Sequence, residues 1–510
     1  MTGATFEPDV EAFAADYDAG RPRLVVTRLV GDLETPVSAY LKLSRERDGA
    51  AFLLESVEGG AARGRYSMIG LDPDVIFRAV GDKAEINRNA LGNKNAFVPC
   101  DAPPLMALRQ LIAESAIPAA TQLPPMAAGV FGYLGYDMVR QMERLAPAKE
   151  DKIGVPDALL LRPTVMVVFD TVKDEISIVT PVRPREGVTA RAAYEAALTR
   201  LDKVVATLEA PLDHRDAGCD PQLLAQESVS NTPKSRFLEM VERAKEYIRA
   251  GDIFQVVLSQ RFTAPFTLPA FALYRALRRV NPAPFLCFLD FGDFQIVCSS
   301  PEILVRVADG KVTIRPIAGT RWRAETKVED ERLAAELLAD EKERAEHLML
   351  LDLGRNDVGR VAKTGTVRVT DSFTIERYSH VMHIVSNVEG ELDDARFDCI
   401  DALAAGFPAG TVSGAPKVRA MEIIDELETD KRGIYGGCIG YFGSGGQMDT
   451  CIVLRTAIVK DGKMHVQAGA GVVYDSEPEY ENRECVNKAK ALFRAAEEAV
   501  RFASRARRGQ

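Results

Sequence analysis

Two short acidic segments lie far apart in the chain, and each carries two glutamates spaced by three residues. The pairs are Glu343 with Glu346 and Glu481 with Glu484. Residues three apart lie on one face of an α-helix, so two packed helices would bring the carboxylates together. Carboxylates that close repel each other unless a cation such as Mg²⁺ lies between them. Lys488, four residues after Glu484, would lie on the same face, where it could bind an anionic substrate. Solvated helix faces show the same spacing, so a metal site is a hypothesis at this point.

Composition limits the class of protein. The chain has 510 residues, 46% of them hydrophobic and 27% charged, which indicates a globular protein of two or three domains. A formal net charge of -10 argues against nucleic-acid binding through bulk charge. No apolar run is long enough to span a bilayer, the N-terminus does not resemble a signal peptide, and the eight cysteines form no CxxC motif. We therefore expect a cytoplasmic protein without nucleic-acid or membrane partners.

A polar segment from about Pro211 to Thr232 divides the sequence into two parts. We predict domains at residues 1–225 and 232–510. Thr232 is a candidate helix cap, and Gly251 is a candidate helix end. Downstream, apolar runs pair around turn residues such as Asp309 and Gly310, and helices follow them. Hairpins mixed with helices predict an α+β fold rather than a regular βαβ alternation.

Four segments carry a resemblance to a known family: PIAGTR, LDLGRND, HIVSNVEG and PAGTVSGAPKVRAM. Together with the acidic pairs, they resemble the chorismate-utilising enzymes, which include the anthranilate, aminodeoxychorismate, isochorismate and salicylate synthases. The resemblance is dense from Thr232 to about Ala499 and weaker upstream. It implies a two-layer antiparallel β-sheet sandwich flanked by helices, with an N-terminal regulatory region packed on the catalytic core.

The resemblance also implies a reaction. In this family a nucleophile adds to carbon 2 of chorismate while the hydroxyl leaves carbon 4, which requires a general acid. The matching acid is Glu302. His383 matches the histidine implicated in removing the carbon 2 proton during pyruvate loss. Thr411 and Thr320 match hydroxyl residues that line the pocket.

Metal and substrate ligands follow from the same resemblance. Mg²⁺ is expected to bind Glu346 and Glu484 directly and Glu343 and Glu481 through water. The substrate-binding positions match Tyr435, Arg455, Gly469, Gly471 and Lys488. Arginine suits the enolpyruvyl carboxylate because its planar fork binds carboxylates bidentately.

Two positions indicate which branch of the family the chain resembles. Water-using members carry a basic lysine where this chain has Gln255, and glutamine cannot act as a base. Ammonia needs no such base. The aminodeoxychorismate synthases usually read PIKGT, whereas Ala318 of this chain cannot act as a nucleophile. The resemblance therefore implies amination at carbon 2 and pyruvate elimination to anthranilate, the first committed step of tryptophan biosynthesis. An aminodeoxychorismate synthase of the folate branch is the alternative.

Two further readings belong to other classes. A tryptophan-sensing module without activity would have lost site residues such as His383 and Arg455, which are present. A magnesium-dependent phosphoryl-transfer enzyme would need a phosphate-binding loop, and the sequence has none.

The resemblance implies regulation and a partner as well. The segment LLES matches a strand that carries a tryptophan feedback site, and NPAPFLCF matches its second half with several departures. The expected inhibitor residues are Glu55, Ser56, Asn281, Pro282, Leu286, Cys287 and Cys451. No cysteine lies in the GxCxGxQ setting of a glutamine amidotransferase. Ammonia is therefore expected from a separate amidotransferase subunit in a hetero-oligomer.

Overall fold

The computed structural model describes residues 5–45, 47, 49–56, 64–117, 123–212, 227–378 and 381–505. Its strands are β1 Phe6–Glu7, β2 Arg23–Val30, β3 Ala51–Ser56, β4 Tyr66–Val80, β5 Lys83–Asn87, β6 Val98–Pro99, β7 Gly129–Leu134, β8 Ala158–Asp170, β9 Glu175–Val182, β10 Val229–Ser230, β11 Gln255–Pro265, β12 Phe285–Asp290, β13 Phe294–Ser300, β14 Ile303–Ala308, β15 Lys311–Ile314, β16 Ile317–Trp322, β17 Arg368–Arg377, β18 Val381–Glu391, β19 Gly414–Ala415, β20 Cys438–Gly443, β21 Met448–Ile452, β22 Thr456–Lys460 and β23 Lys463–Val472. Its α-helices are α1 Val10–Asp18, α2 Pro36–Ser44, α3 Pro104–Glu114, α4 Ala190–Glu209, α5 Lys234–Ala250, α6 Ala270–Val280, α7 Lys327–Ala339, α8 Glu341–Gly359, α9 Cys399–Gly406, α10 Lys417–Leu427 and α11 Pro478–Arg505. Short 3₁₀ helices lie at Pro125–Ala127, Tyr136–Gln141 and Gly410–Val412.

The long strands β4 and β8 pair with each other over most of their length and take part in two sheets. The first half of β8 pairs with β7, and its second half pairs with β9. One sheet continues from β1 through β2, β9, β8, β4, β3, β12, β13, β22 and β23 to β11. The other continues from β5 through β4, β8, β7, β20, β21, β14 and β15 to β18. All of these pairs are antiparallel.

Three apolar clusters show how the sheets and helices stack. One cluster combines residues of both sheets, among them Phe52, Cys298, Phe131 and Ile439, and fills the space between the layers. A second covers the outer face of the first sheet with α1, α2, α4, α6 and α11. The third covers the outer face of the second sheet with α3, α8 and α9. The predicted two-layer antiparallel sandwich flanked by helices is confirmed.

Strand pairing joins the N-terminal and C-terminal parts of the chain. Strand β3 pairs with β12 in one sheet, and β7 pairs with β20 in the other. Residues 213–226, which include most of the expected boundary, lie outside the described residues. The division into a regulatory and a catalytic domain stays a prediction, and each sheet contains strands from both parts.

The sequence predicted which residues lie at the two ends of helix α5. Gly251 ends the helix as expected, in a left-handed conformation with φ of 83°. The prediction for Thr232 is wrong, because the N-cap position is Pro233 and no side chain caps the helix. The Thr232 hydroxyl instead donates a hydrogen bond to Asn231 Oδ1 at 3.1 Å.

Glycines allow neighbouring strands of the second sheet to approach closely. Gly132 of β7 lies opposite Gly440 of β20. A Cβ atom on Gly132 would lie 2.1 Å from the carbonyl oxygen of Leu159, and one on Gly440 would lie 2.0 Å from that of Asp449. Real Cβ atoms do not approach oxygen so closely, so any side chain here would force the strands apart.

We predict that Gly132→Ala destabilises the protein by about 2 kcal/mol or more, because the added methyl group overpacks a buried strand pair. The free energy of unfolding in urea measures the effect. Gly49→Ala is the matched control, since nothing lies within 4 Å of a Cβ atom at that position. Equal stability of the two variants would contradict the close approach of β7 and β8.

Candidate functional site

Helices α8 and α11 carry the two glutamate pairs. Helix α8 packs on β16 and β18, while α11 packs on β23 and α5. Asp340 caps α8, since its carboxylate accepts hydrogen bonds from the backbone N–H groups of Lys342 and Glu343, each at 3.1 Å. The start of α8 is thereby fixed just before its two glutamates.

Carboxylates of the two helices lie close enough to influence each other. Burial raises the pKa of Glu346, and the charges of Glu343 and Glu484 raise it further. Burial also raises the pKa of Glu481 to about 7, with a further contribution from the charge of Glu484. No three of these four residues, however, place oxygen atoms within 4.8 Å of one another. The charges of Glu343 and Glu484 act on Glu346, but the four residues form no closed ligand shell, and the metal site stays a prediction.

Hydrogen bonds tie the carboxylates to neighbouring strands. Lys488 Nζ lies 2.6 Å from Glu484 Oε1 and donates to the carbonyl oxygen of Gly469 at 2.9 Å. Gln255 Nε2 donates to Glu346 Oε1 at 3.4 Å, while Gln255 Oε1 is buried without a hydrogen-bond partner. The ligand atoms available here are carboxylate and amide oxygens, which carry negative or partial negative charge and suit a hard cation such as Mg²⁺.

Glu302 lies immediately before β14 and is buried, with 6% of its surface exposed. Burial raises its pKa to about 8, although a hydrogen bond from Thr411 opposes the shift. Thr411 Oγ1 donates to Glu302 Oε2 at 3.2 Å. The carboxyl group is therefore protonated near neutral pH, as a general acid must be.

His383 and Thr320 lie opposite each other on β18 and β16. His383 Nδ1 lies 2.9 Å from the carbonyl oxygen of Gly319 and 3.1 Å from Thr320 Oγ1. Burial lowers the pKa of His383 to about 4, so the ring is neutral. Because a carbonyl oxygen only accepts, Nδ1 carries the proton and Nε2 keeps a lone pair that can accept one.

Arg455 lies between β21 and β22 with φ of 48°. Burial lowers the pKa of its guanidinium. Among the described residues, no carboxylate forms an ion pair with it. A half-buried arginine without an acidic partner among the described residues is available to bind an anion.

Glycines of β23 leave room beside β11. A Cβ atom on Gly469 would lie 2.7 Å from the Tyr435 hydroxyl, and one on Gly471 would lie 2.6 Å from Gln255 Nε2. Gly471 lies opposite Val257 in the β11–β23 pair. Side chains at these glycines would fill the space between Tyr435, Gln255 and the strand backbone.

Comparison with known proteins gives the family. A family model described as chorismate binding enzyme matches residues 50–494. The chain belongs to the chorismate-binding enzyme family. It is 57% identical to anthranilate synthase component 1 of Cereibacter sphaeroides over 98% of this chain and 99% of that protein. It is 48% identical to the protein of the same name from Thermus thermophilus over 92% and 96%.

Solved structures of the family have the same fold. The crystal structure of anthranilate synthase component I from Streptococcus pneumoniae matches with a TM-score of 0.73 and 38% identity, covering 91% of this chain and 98% of that one. The menaquinone-specific isochorismate synthase of Escherichia coli matches with a TM-score of 0.68 and 20% identity, covering 96% and 100%. The second match concerns the fold alone.

One residue of this chorismate-binding enzyme that the sequence did not indicate holds several parts of the site together. Arg432, 3% exposed, donates hydrogen bonds of 2.6 Å each to the carbonyl oxygens of Val412 and Val257. It also pairs with Glu428 and lies over the ring of Tyr435, 5.6 Å from its centroid. A basic residue in the segment KRGIYGG is typical of an exposed loop. No pattern in the sequence therefore predicts that Arg432 is buried and bonds to two carbonyl oxygens of the site.

The residues expected to bind an inhibitor lie on and beside β3 and β12, but not all on one face. Leu286 packs in the cluster on the outer face of the first sheet, whereas Cys287 and Cys451 pack between the two sheets. Leu286 of β12 lies opposite Glu55 of β3, and the Sγ atoms of Cys287 and Cys451 lie within 4.8 Å of each other. Ser56 Oγ donates to the carbonyl oxygen of Tyr66 at 3.0 Å. The region begins at Asn281 and Pro282, which lie between α6 and β12.

Two polar side chains in this region differ in whether their hydrogen-bonding groups have partners. The Glu55 carboxylate accepts hydrogen bonds from Tyr274 at 2.6 Å and from Arg278 at 2.7 and 3.0 Å. Asn281 Nδ2, in contrast, is buried without a partner.

Within the part of the chain that the structure describes, no helix has the length and apolar character needed to cross a membrane.

We predict that Glu302→Gln stabilises the protein increasingly as the pH rises from 4.5 towards about 8. The folded-state pKa lies above the ordinary value, so the wild type loses stability over this interval, whereas glutamine does not titrate. At the upper end of this pH interval, the free energy of unfolding in urea should be about 2 kcal/mol or more higher for Glu302→Gln than for the wild type, since one pKa unit corresponds to about 1.4 kcal/mol. Glu331→Gln, at an exposed position of α7, should show no such trend. A pH-independent difference for Glu302→Gln would contradict the raised pKa.

Proposed function

We propose that the chain is the chorismate-using component of an anthranilate synthase, which combines chorismate with ammonia and releases anthranilate and pyruvate. The observation that carries this proposal is the 57% identity to a relative of that name over 98% of the chain. The local chemistry agrees, because Gln255 and Ala318 leave no lysine to activate water or to attack carbon 2. An aminodeoxychorismate synthase is the second candidate, favoured only by the general family likeness.

The first step needs a proton donor. Ammonia forms a bond to carbon 2 of chorismate, and the bond between carbon 4 and its hydroxyl oxygen breaks. Glu302 donates the proton that lets this oxygen leave as water. Its raised pKa of about 8 keeps the proton available, and the hydrogen bond from Thr411 fixes which carboxyl oxygen faces the pocket.

The second step needs a proton acceptor. Loss of the carbon 2 proton makes the ring aromatic while the enolpyruvyl ether bond at carbon 3 breaks and pyruvate leaves. His383 accepts the proton at Nε2, because its Nδ1–H is held by the carbonyl oxygen of Gly319. The low pKa of His383, about 4, keeps the lone pair of Nε2 free in the resting enzyme.

Binding of the substrate uses separate positive groups for its two carboxylates. Arg455, which has no acidic partner among the described residues, binds the enolpyruvyl carboxylate together with Tyr435 and the backbone N–H groups near Gly469 and Gly471. Glu346 and Glu484 would hold Mg²⁺ directly, with Glu343 and Glu481 behind them through water. When bound, Mg²⁺ would neutralise the charge of the ring carboxylate. Lys488 orients Glu484 and the carbonyl of Gly469.

Ammonia comes from a partner in this proposal. The relatives carry the designation component 1, which implies at least one other component of their enzyme. The sequence lacks an amidotransferase cysteine motif. We therefore assign glutamine hydrolysis to a separate subunit that forms a hetero-oligomer with this chain in the cytoplasm.

Tryptophan inhibition is the final part of the proposal. The region of Glu55, Ser56 and β12 would bind the amino acid, with Asn281 Nδ2 available as a donor. Ser299 connects this region to the substrate site. Its Oγ donates to the carbonyl oxygen of Asn281 at 2.5 Å, and its backbone N–H donates to the carbonyl oxygen of Arg455 at 3.2 Å. A shift of Asn281 on binding would therefore reach the carboxylate anchor of chorismate.

The reaction is tested with the purified chain, chorismate, Mg²⁺ and ammonium chloride at mildly alkaline pH. We expect fluorescent anthranilate and an equal amount of pyruvate, and no reaction when glutamine replaces ammonium. Chorismate consumption without pyruvate would contradict the proposal and support an aminodeoxychorismate synthase. Activity with glutamine alone would contradict the separate amidotransferase.

We predict that Glu484→Ala reduces kcat/KM with ammonium by about 1000-fold or more, because loss of one metal ligand and of the Lys488 ion pair costs several kcal/mol. Raising the Mg²⁺ concentration should not restore the activity. Glu479→Ala, at an exposed position one turn earlier on α11, should behave as the wild type. Normal activity of Glu484→Ala would contradict its assignment to the metal.

We predict that Ser56→Ala raises the tryptophan concentration needed for half-maximal inhibition about 10-fold, the value of one hydrogen bond, and leaves kcat/KM unchanged. Steady-state kinetics with ammonium and varied tryptophan measures both quantities. Ser177→Ala, on the distant strand β9, is the control. Identical inhibition of Ser56→Ala and the wild type would remove Ser56 from the inhibitor site.

A further inference from the structure

Three cysteines from three strands meet between the two sheets. Cys287 of β12 lies opposite Cys298 of β13, and Cys451 of β21 belongs to the other sheet. Their Sγ atoms all lie within 4.8 Å of one another. None forms a disulfide, and all are buried, with 5%, 0% and 1% of their surfaces exposed.

The separation of the sulfur atoms is close to that of a three-coordinate thiolate site. A metal–sulfur bond of about 2.3 Å, the value for zinc, places three ligands in one plane about 4 Å apart. Closing the cluster from its present size needs side-chain shifts of less than an ångström. Sulfur ligands select soft cations such as Cu(I) and Zn²⁺ over Mg²⁺ or Ca²⁺.

Coordination number and charge distinguish between the soft cations. A structural Zn²⁺ site takes four ligands, and no fourth histidine, cysteine or carboxylate of the described residues joins the three thiols within 4.8 Å. Cu(I) is bound stably by two or three sulfur atoms. A monovalent cation that replaces one thiol proton also leaves the net charge of the cluster unchanged, which matters because buried charge is costly.

Cys298 is the most deeply buried of the three thiols, and it lies opposite Thr456 in the β13–β22 pair. Its Sγ donates a hydrogen bond to the carbonyl oxygen of Leu454 at 3.8 Å. A bound monovalent cation would replace the proton of one thiol, and the other two sulfur atoms would be neutral ligands.

We propose that Cys287, Cys298 and Cys451 form a binding site for one soft monovalent cation, Cu(I). The Cu(I)–sulfur bond to Cys298 forms as its S–H bond breaks, and the proton leaves to solvent, with no change of oxidation state. The bound cation joins β12 and β13 of one sheet to β21 of the other.

The test is an anaerobic titration of the full-length, reduced chain with Cu(I) in competition with a chromophoric Cu(I) chelator. We expect the protein to bind one equivalent of Cu(I) more tightly than a single-thiol peptide does. The bound form should show an ultraviolet band from thiolate-to-copper charge transfer. The melting temperature of the protein should rise on binding. Cys298→Ser should weaken the binding by about 100-fold or more, the upper end of the cost of losing a supporting group at a metal site. Cys399→Ser removes a buried thiol outside the cluster and should bind as the wild type.

Two results would overturn the site. One is binding by the wild type no tighter than by the single-thiol peptide. The other is equal loss of affinity in Cys399→Ser and in the cluster variants, which would indicate binding by scattered thiols. Cys287→Ser and Cys451→Ser are measured alongside, and circular dichroism checks that each variant is folded. If Cys298→Ser is misfolded, the other two variants must still show the loss of Cu(I) affinity.

Discussion

Repulsion among the carboxylates of α8 and α11 is the constraint on which the site depends. Arg321 pairs with Glu343 at 3.1 Å, and Lys488 pairs with Glu484 at 2.6 Å. Glu346 and Glu481 form no ion pair among the described residues, and burial raises the pKa of each. One carboxylate on each helix is thus compensated by a basic side chain, and the other has no such partner among the described residues. In the proposed function, Mg²⁺ held by Glu346 and Glu484 would offset the repulsion among these carboxylates and the charge of the ring carboxylate of the substrate.

The surrounding sheets hold these charges and the uncharged catalytic groups at fixed places. Arg432 connects β11, the 3₁₀ helix that carries Thr411, and the loop that carries Tyr435 through hydrogen bonds to carbonyl oxygens. Burial then sets the protonation states, because it disfavours the charged form of both an acid and a base. Glu302 is kept protonated and His383 neutral by the same physical cause. The proposed function uses these two groups as the acid and the base of two successive proton transfers.

Local patterns predicted the parts of the structure that depend on neighbours in sequence. The strand pair around Asp309 and Gly310 forms as expected, with both residues at positive φ, and the glutamate spacing placed each pair on its helix. The N-cap of α5 was missed because the Thr232 hydroxyl bonds to Asn231 instead. Contacts between distant segments left no local signal. The hydrogen bonds of Arg432, the link through Ser299 and the meeting of three cysteines depend on how the two sheets pack.

The most direct test of this account is the position of the cation. Crystals of the enzyme grown with Mn²⁺ in place of Mg²⁺ and with an unreactive chorismate analogue would locate it through anomalous scattering. The account predicts one strong peak about 2.1 to 2.3 Å from carboxylate oxygens of both Glu346 and Glu484, between α8 and α11. A peak bound by one helix alone, or an ordered analogue with no metal between the helices, would contradict it.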